Sequence, residues 1–528
     1  MKQKFILFLV PQNSKRSREF CSHDEGEFGM KKGYVLALDA GTIRNRAVIF
    51  DNDSNIVSVA KKGILSFHPK PGWVEQDAEE IWSTQLLVAQ EAIEKSGLKK
   101  EDIAAIGITN QRETTVVWDK TTGRPIYNAI SWQSRQTEDI CRNLRKLGLE
   151  EEFRQKTSLI INSYFSGSKI RWILDHVAGA KEKAEAGQLL FGTIDTWIMW
   201  KLSGGKIFAT DYSNASRTLL YNLRELKWDQ DLLRYLEIPQ CMLPKVCSSS
   251  EVYGYTDPSI FGMKIPIAGD AGNQQADLFG QGCFEPGMAK NTYGEGSFFL
   301  MNTGHKFCNS NNGLITTIAW GINGKITYAL EGSVFVAGAA IQWLKTGLGI
   351  LDTLAESEWL AKKVGDTGGV YFVPAFRGLS APYWDMQTSG MIIGLKNDTT
   401  KSHIVRAALA AMAYQVRDVV EAIESDTKMQ IQDLKVDGGA SNNNLLVQFQ
   451  ADILGVPIKR SRIRETTALG AAYLAGLAVG VWKDTEELKS KWQEDACFKP
   501  QISEIEREDY YSGWQNAVSH VMRWVDKD

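Results

Sequence analysis

The chain has 528 residues, 43% hydrophobic and 23% charged, with a net charge of −3. This is ordinary globular usage, and at roughly 100–200 residues per domain the length calls for more than one domain. The charge is too small and too evenly mixed to suit a polyanion, and no zinc finger, basic helix or RNA-binding signature occurs, which argues against nucleic acid as a partner. The chain opens with a basic stretch, Met1 to Lys4, and a short apolar run, Phe5 to Val10. That run is shorter than the ~7–15 residues of a signal-peptide core, and no small-residue cleavage site follows. Residues 1–32 therefore read as a disordered extension.

Tyr34 to Leu38 and Ala47 to Phe50 are two short strand-forming runs around a Gly-containing turn, Asp39-Ala40-Gly41-Thr42. They predict a β-hairpin. A Walker loop, G-x-x-x-x-G-K-[ST], is absent. Ala78 to Ser96 has helical spacing of apolar residues, as does Ile404 to Ile423. Two further strands end in Gly turns: Ala289 to Tyr293 before Gly294-Glu295-Gly296, and Leu434 to Val436 before Asp437-Gly438-Gly439. Glycine lets a backbone approach a ligand closely and turn its amides toward it. One such turn is unremarkable; three shift the reading toward phosphate or nucleotide. A composition change over Gly280 to Gly287 marks a domain boundary, giving domains of 33–280 and 281–528. Leu469 to Trp482 is apolar but 14 residues long, against the ~20 a membrane helix needs, so it reads as a buried helix and not a span. Seven cysteines at irregular spacing read as free thiols of a reducing, cytoplasmic compartment. The six histidines lack metal-ligand spacing.

Five segments carry a resemblance: Ile108 to Thr114 (ITNQRET), Gly280 to Gly294 (GQGCFEPGMAKNTYG), Gly332 to Trp343 (GSVFVAGAAIQW), Ala381 to Asp385 (APYWD) and Glu465 to Gly476 (ETTALGAAYLAG). Together they resemble the glycerol kinases, in the FGGY branch of the sugar kinases, over about residues 33–500. The resemblance implies an α/β fold of two actin-like ATPase (ribonuclease H-like) domains with an interdomain cleft. It implies ATP and Mg2+, with glycerol as substrate, and a homodimer or homotetramer. Glycerol would be held by Arg112, Glu113, Tyr164 and Gln274, with Trp132 against its carbon face. A triol needs several donors and acceptors at once, and a charged pair supplies strong ones. Neighbours on a strand face opposite ways, so mutual pairing is not the natural account of Arg112 and Glu113. Gly338 and Gln342 would lie near the phosphates or ribose, Gly439 and Asn443 beside the adenosine, Asp39 near Mg2+, and Thr42 and Arg46 at the γ-phosphate.

Four positions depart from the family pattern. The aspartate expected before Gln274-Gln275, the general base, is Asn273, and an amide cannot hold a proton near neutral pH. The first loop has Ile43 and Arg44 where hydroxyl residues are expected; Arg44 could compensate if it points inward. The second loop has Glu295 where Thr is expected, repulsive beside a triphosphate unless a cation bridges them. Asp270, three residues before Asn273, is the substitute base to test. The implied activity is thus phosphorylation of glycerol with impaired catalysis, or binding of glycerol and nucleotide by an inactive homologue. No histidine lies in Asp257 to Lys264, where some relatives are activated by phosphorylation, and the Gly-Gly-Thr-Arg loop others use for a sugar bisphosphate is missing.

Overall fold

A computed structural model describes residues 33–524; the extension expected over 1–32 lies outside the described residues. The predicted hairpin forms from β1 (Tyr34–Ala40) and β2 (Arg44–Phe50), antiparallel, with Asp39 opposite Arg46. Gly41 donates its amide to the Arg44 carbonyl at 3.2 Å, and a Cβ at Gly41 would stand 2.8 Å from that oxygen, so the turn tolerates only glycine. The remaining strands of the first sheet are β3 (Ile56–Gly63), β4 (Ile103–Asn110), β5 (Ser250–Tyr255) and β6 (Pro266–Gly272), in the order β5-β6-β4-β1-β2-β3.

The second sheet uses β7 (Ala289–Tyr293), β8 (Ser297–Gly304), β9 (Ile315–Ile322), β10 (Lys325–Val334), β11 (Leu434–Asp437), β12 (Ile458–Ser461) and β13 (Glu494–Phe498). Its order is β9-β10-β8-β7-β11-β12-β13. The sheets repeat one plan. In each, a hairpin (β1–β2, β7–β8) is extended on one side by antiparallel strands, one (β3) in the first sheet and two (β10, β9) in the second, and on the other by two parallel strands, and an antiparallel strand closes the far edge. Parallel neighbours need crossover segments, and helices supply them.

The helices that matter for the site are α1 (Ala78–Ser96), α2 (Ser166–His176), α3 (Asn273–Gly280), α4 (Gly338–Thr346), α5 (Lys401–Thr427), α6 (Asn444–Leu454) and α7 (Thr466–Val479). Helix α1 begins at an Asp77 cap and ends at Gly97 in the left-handed region, matching the predicted bounds. Helix α7 is the expected buried helix. It lies in the second half of the chain yet packs on β1, β4 and β6 of the first sheet and crosses α3. The crossing is very close: a Cβ on Gly470 would sit 1.7 Å from the Ala276 carbonyl, and one on Gly280 2.0 Å from that of Thr466. This is the physical reason for the Ala/Gly-rich sequence there. Among the described residues no helix is long and apolar enough to cross a membrane, and the six described cysteines are free thiols.

Candidate functional site

The ends of β1 and β4 and the start of α3 meet the β7–β8 turn of the second sheet across a cavity of about 180 Å3. Its walls include Thr42, Ile43, Arg112, Glu113, Trp132, Tyr164, Asn273, Gln274 and Glu295. That volume is below the roughly 300–1,000 Å3 of pockets for drug-sized ligands and suits a smaller guest. A larger cavity of about 600 Å3 adjoins it and shares Trp132, Tyr164 and Glu295.

Arg112 and Glu113 follow the end of β4 and are not strand neighbours. Glu113 has φ 61°, and its carboxylate lies 3.9 Å from the Arg112 guanidinium, which corrects the opposite-face expectation. Each has a better partner. Arg217 Nε donates to Glu113 at 2.7 Å, Arg112 Nη2 donates to Glu331 at 3.0 Å, and Arg217 Nη2 donates to Glu331 at 3.2 Å. The result is a buried square of two arginines and two glutamates. Burial alone would push the Glu331 carboxyl up, but Arg112 and Arg217 outweigh it and hold it at about 2. Glu331 belongs to β10, so the second sheet supplies one corner of the charged square that backs the pocket.

The aromatic wall is fixed in the same way. Trp132 donates its indole N–H to Thr42 Oγ1 at 2.9 Å and stands edge-on to Tyr164 at 5.6 Å. The turn carrying Tyr164 is held by Lys169 of α2, which donates to the carbonyls of Ser163 (2.6 Å), Tyr164 and Phe165 (3.1 Å). Burial pulls the Lys169 amine down to about 7. Gln274 accepts from Lys290, which also meets Asp277 at 2.9 Å and Thr292 at 2.7 Å.

Asn273 opens α3 and lines the cavity, but its Oδ1 accepts from the Gln274 amide at 2.9 Å. Asp270 is a correction. It is fully buried on β6 beside Asp195 and Asp211, neither carboxylate oxygen finds a partner among the described residues, and it lines neither cavity. Burial raises its carboxyl far above the ordinary range, and it cannot reach a polyol proton as a substitute base. Arg44 is a second correction: it stands exposed on the hairpin, outside both cavities, and does not point inward. Ile43 is 59% exposed at the cavity lip.

Between the sheets lies an acidic base to the cleft. Asp39 is 3.5 Å from Arg46, which also meets Glu465 at 2.6 Å. Burial raises the Asp39 carboxyl to about 6 against the pull of Arg46. Asp277 and Asp437 face each other; burial and the neighbouring Asp277 raise the Asp437 carboxyl well above the ordinary range, while Asp277, beside Lys290, is lowered. Each has one buried oxygen, Oδ1, without a partner among the described residues.

On the second domain, the amides of Ala337 and Ala339 donate to the Glu295 carbonyl at 2.7 and 3.0 Å, and Gly338 donates to Gly294 at 3.1 Å. The start of α4 is therefore tied to the β7–β8 turn, and Gln342 projects exposed from the next turn of the helix. Gly439 opens a short 3-10 turn with open space where a side chain would go, which fits close approach of a ligand. Asn443 caps α6 by accepting from Leu446 at 3.0 Å.

Sequence reasoning missed Arg217, Lys290, Glu331 and the Asp277–Asp437 pair. Lys290 and Glu331 did leave a signal: each is a lone charge in an otherwise strand-forming run, and unpaired charges are almost never fully buried.

Residues 34–280 match the N-terminal domain of the FGGY family of carbohydrate kinases, and residues 289–479 its C-terminal domain. The chain is 61% identical to a glycerol kinase of Desulforamulus reducens, over 94% of this chain and all of that one. It is 60% identical to glycerol kinase 2 of Thermotoga maritima, over 93% and 99%. In structure it resembles Plasmodium falciparum glycerol kinase with ADP, at TM-score 0.87 and 36% identity, over 93% and 98% of the two chains. A ligand-bound xylulose kinase of Lactobacillus acidophilus shares the fold at TM-score 0.83 and 21% identity.

Proposed function

The chain belongs to the FGGY family of carbohydrate kinases, among its glycerol kinases, and on that premise we propose that it transfers the γ-phosphoryl group of ATP to glycerol, giving sn-glycerol 3-phosphate and ADP. The observation that carries the reading is the small cavity walled by Arg112, Glu113, Trp132, Tyr164 and Gln274. The charged and amide groups offer donors and acceptors to three hydroxyls, and the indole faces the C–H side. Because the arginines and glutamates are locked to one another, they hold a guest without reorganising, which is how positioning lowers a barrier. Phosphoryl transfer needs little covalent help from a protein beyond this and charge stabilisation.

Asp39, at the end of β1 on the cleft base, suits a hard cation taken together with phosphate oxygens and water, and it would hold Mg2+. When bound, the ion neutralises charge on the phosphates. Arg46 and Thr42 stand at the hairpin that faces them, and Gly439 leaves room for the nucleoside. We place the protein in the cytoplasm, on its free thiols, and as a homodimer or homotetramer.

A second reading rests on one observation: Ile43, Asn273 and Glu295 all line the same small cavity. Under it the chain binds glycerol and nucleotide but scarcely turns over. Glycerol-dependent release of ADP and glycerol 3-phosphate by the purified chain, beside calorimetric titration of glycerol, separates the two. Turnover above the ATPase background supports the kinase; glycerol binding without turnover supports the second reading; neither refutes both.

A further inference from the structure

We propose that Glu295, carried by the β7–β8 turn of the second domain, is the proton acceptor for the reacting hydroxyl of the polyol. This rests on the kinase reading above. The argument is by inspection of the groups that can touch a guest in the 180 Å3 cavity. Its titratable lining residues are Arg112, Glu113, Tyr164 and Glu295. Arginine stays protonated. Burial raises the Tyr164 phenol, so it serves as a donor. Glu113 receives Arg217 at 2.7 Å and lies 3.9 Å from Arg112, contacts that tie it into the buried square of arginines and glutamates. Asn273 is an amide, and Asp270 is fully buried on β6 and lines neither cavity. Glu295 remains. Among the described residues its carboxylate makes no hydrogen bond and no ion pair, and its backbone is pinned by Ala337 and Ala339 at the head of α4.

Its position also gives the proton an exit. Glu295 lines both the small cavity and the 600 Å3 cavity beside it, so one residue borders the polyol chamber and the outer space. In the step, the polyol oxygen forms a bond to the γ-phosphorus while its proton moves to a Glu295 carboxylate oxygen. The bond from the γ-phosphorus to the bridging oxygen breaks, and ADP leaves with the electron pair. Glu295 then releases the proton to water in the outer cavity. The acceptor is thus delivered from the domain opposite the polyol pocket, and the carboxylate that looked repulsive to a triphosphate has a use at the other end of the transfer.

The test compares the parent chain, E295Q, N273D and N273D/E295Q for glycerol-dependent ADP release, with glycerol affinity followed by calorimetry. Glu295 is exposed, so E295Q is expected to fold and to keep its glycerol affinity within about threefold. Loss of a general base costs about 10²–10⁴ in rate, and kcat of E295Q is expected to fall by that much. A carboxylate placed at 273 in the double variant is expected to recover at least tenfold of the loss. An E295Q enzyme with kcat equal to or above an active parent overturns the assignment and leaves the kinase reading intact. A parent that binds glycerol but does not turn over sinks the kinase reading and this inference with it.

Discussion

Replacing Glu331 by Gln tests the idea that the polyol pocket is held together across the two domains. Glu331 is fully buried and accepts from Arg112 and Arg217, themselves buried. The substitution keeps shape and one acceptor oxygen but leaves two guanidinium groups facing a single carboxylate, Glu113. Removing one partner of a buried ion pair costs about 3–5 kcal/mol. That is a large part of a total stability of roughly 5–15 kcal/mol. In function, Arg112 loses the anchor for its guanidinium; misplacement of about 1 Å costs about 10²-fold, or roughly 2.7 kcal/mol, in kcat/KM. Urea unfolding followed by tryptophan fluorescence, with steady-state kinetics in glycerol, reads both effects. The pH dependence gives a third arm. The Glu331 carboxyl is lowered in the fold from 4.5 to about 2, so its contribution is present above 4.5 and lost as pH falls through 2. The stability gap between parent and E331Q should narrow over that window. A variant within 0.5 kcal/mol of the parent, roughly the scatter of a neutral surface change, with an unchanged KM for glycerol, would refute the reasoning.

Two further outcomes are expected. K169M strands the carbonyls of Ser163 and Tyr164, at about 1–3 kcal/mol for each buried acceptor left unpaired, and loosens Tyr164; KM for glycerol should rise with little change in KM for ATP, and equal changes in both would contradict a local role. Asp418, which accepts from Tyr511 at 2.7 Å and Trp514 at 2.9 Å, is raised by burial from 3.8 to about 7. Its contribution to stability is therefore full below 3.8 and lost as pH rises through 7, by roughly 4 kcal/mol at most. D418N should flatten the fall in melting temperature over that range, whereas parallel curves for parent and variant would show that Asp418 does not titrate in the fold.

The sequence exposed the first hairpin and the long amphipathic helices because those follow local rules: short strand-forming runs broken by Gly, and apolar residues at helical spacing. It also singled out Arg112, Glu113, Trp132, Tyr164 and Gln274, which line one cavity, through motifs whose spacing is itself local. What it hid is what depends on distance in the chain. Glu331 reaches Arg112 across 219 positions, and no local pattern says that a charge in β10 closes a pocket on another sheet. Asp270 shows the converse failure. It lies three residues before Asn273, yet the strand-to-helix junction turns one side chain into the core and the other to the cavity. Glu295 was legible as an anomaly, but its side of the cleft was not.

The meeting of α3 and α7 has a mechanical corollary. At Gly280 and Gly470 the two backbones touch with no room for even one extra carbon. Surfaces so closely interlocked resist sliding, since any translation drives carbonyl into carbonyl. Rotation about the point of contact is the motion left, and the crossing then acts as a fulcrum beneath the cleft. Like the rivet of a pair of tongs, it stays still while the jaws travel, so a small change of angle there is magnified at the mouth.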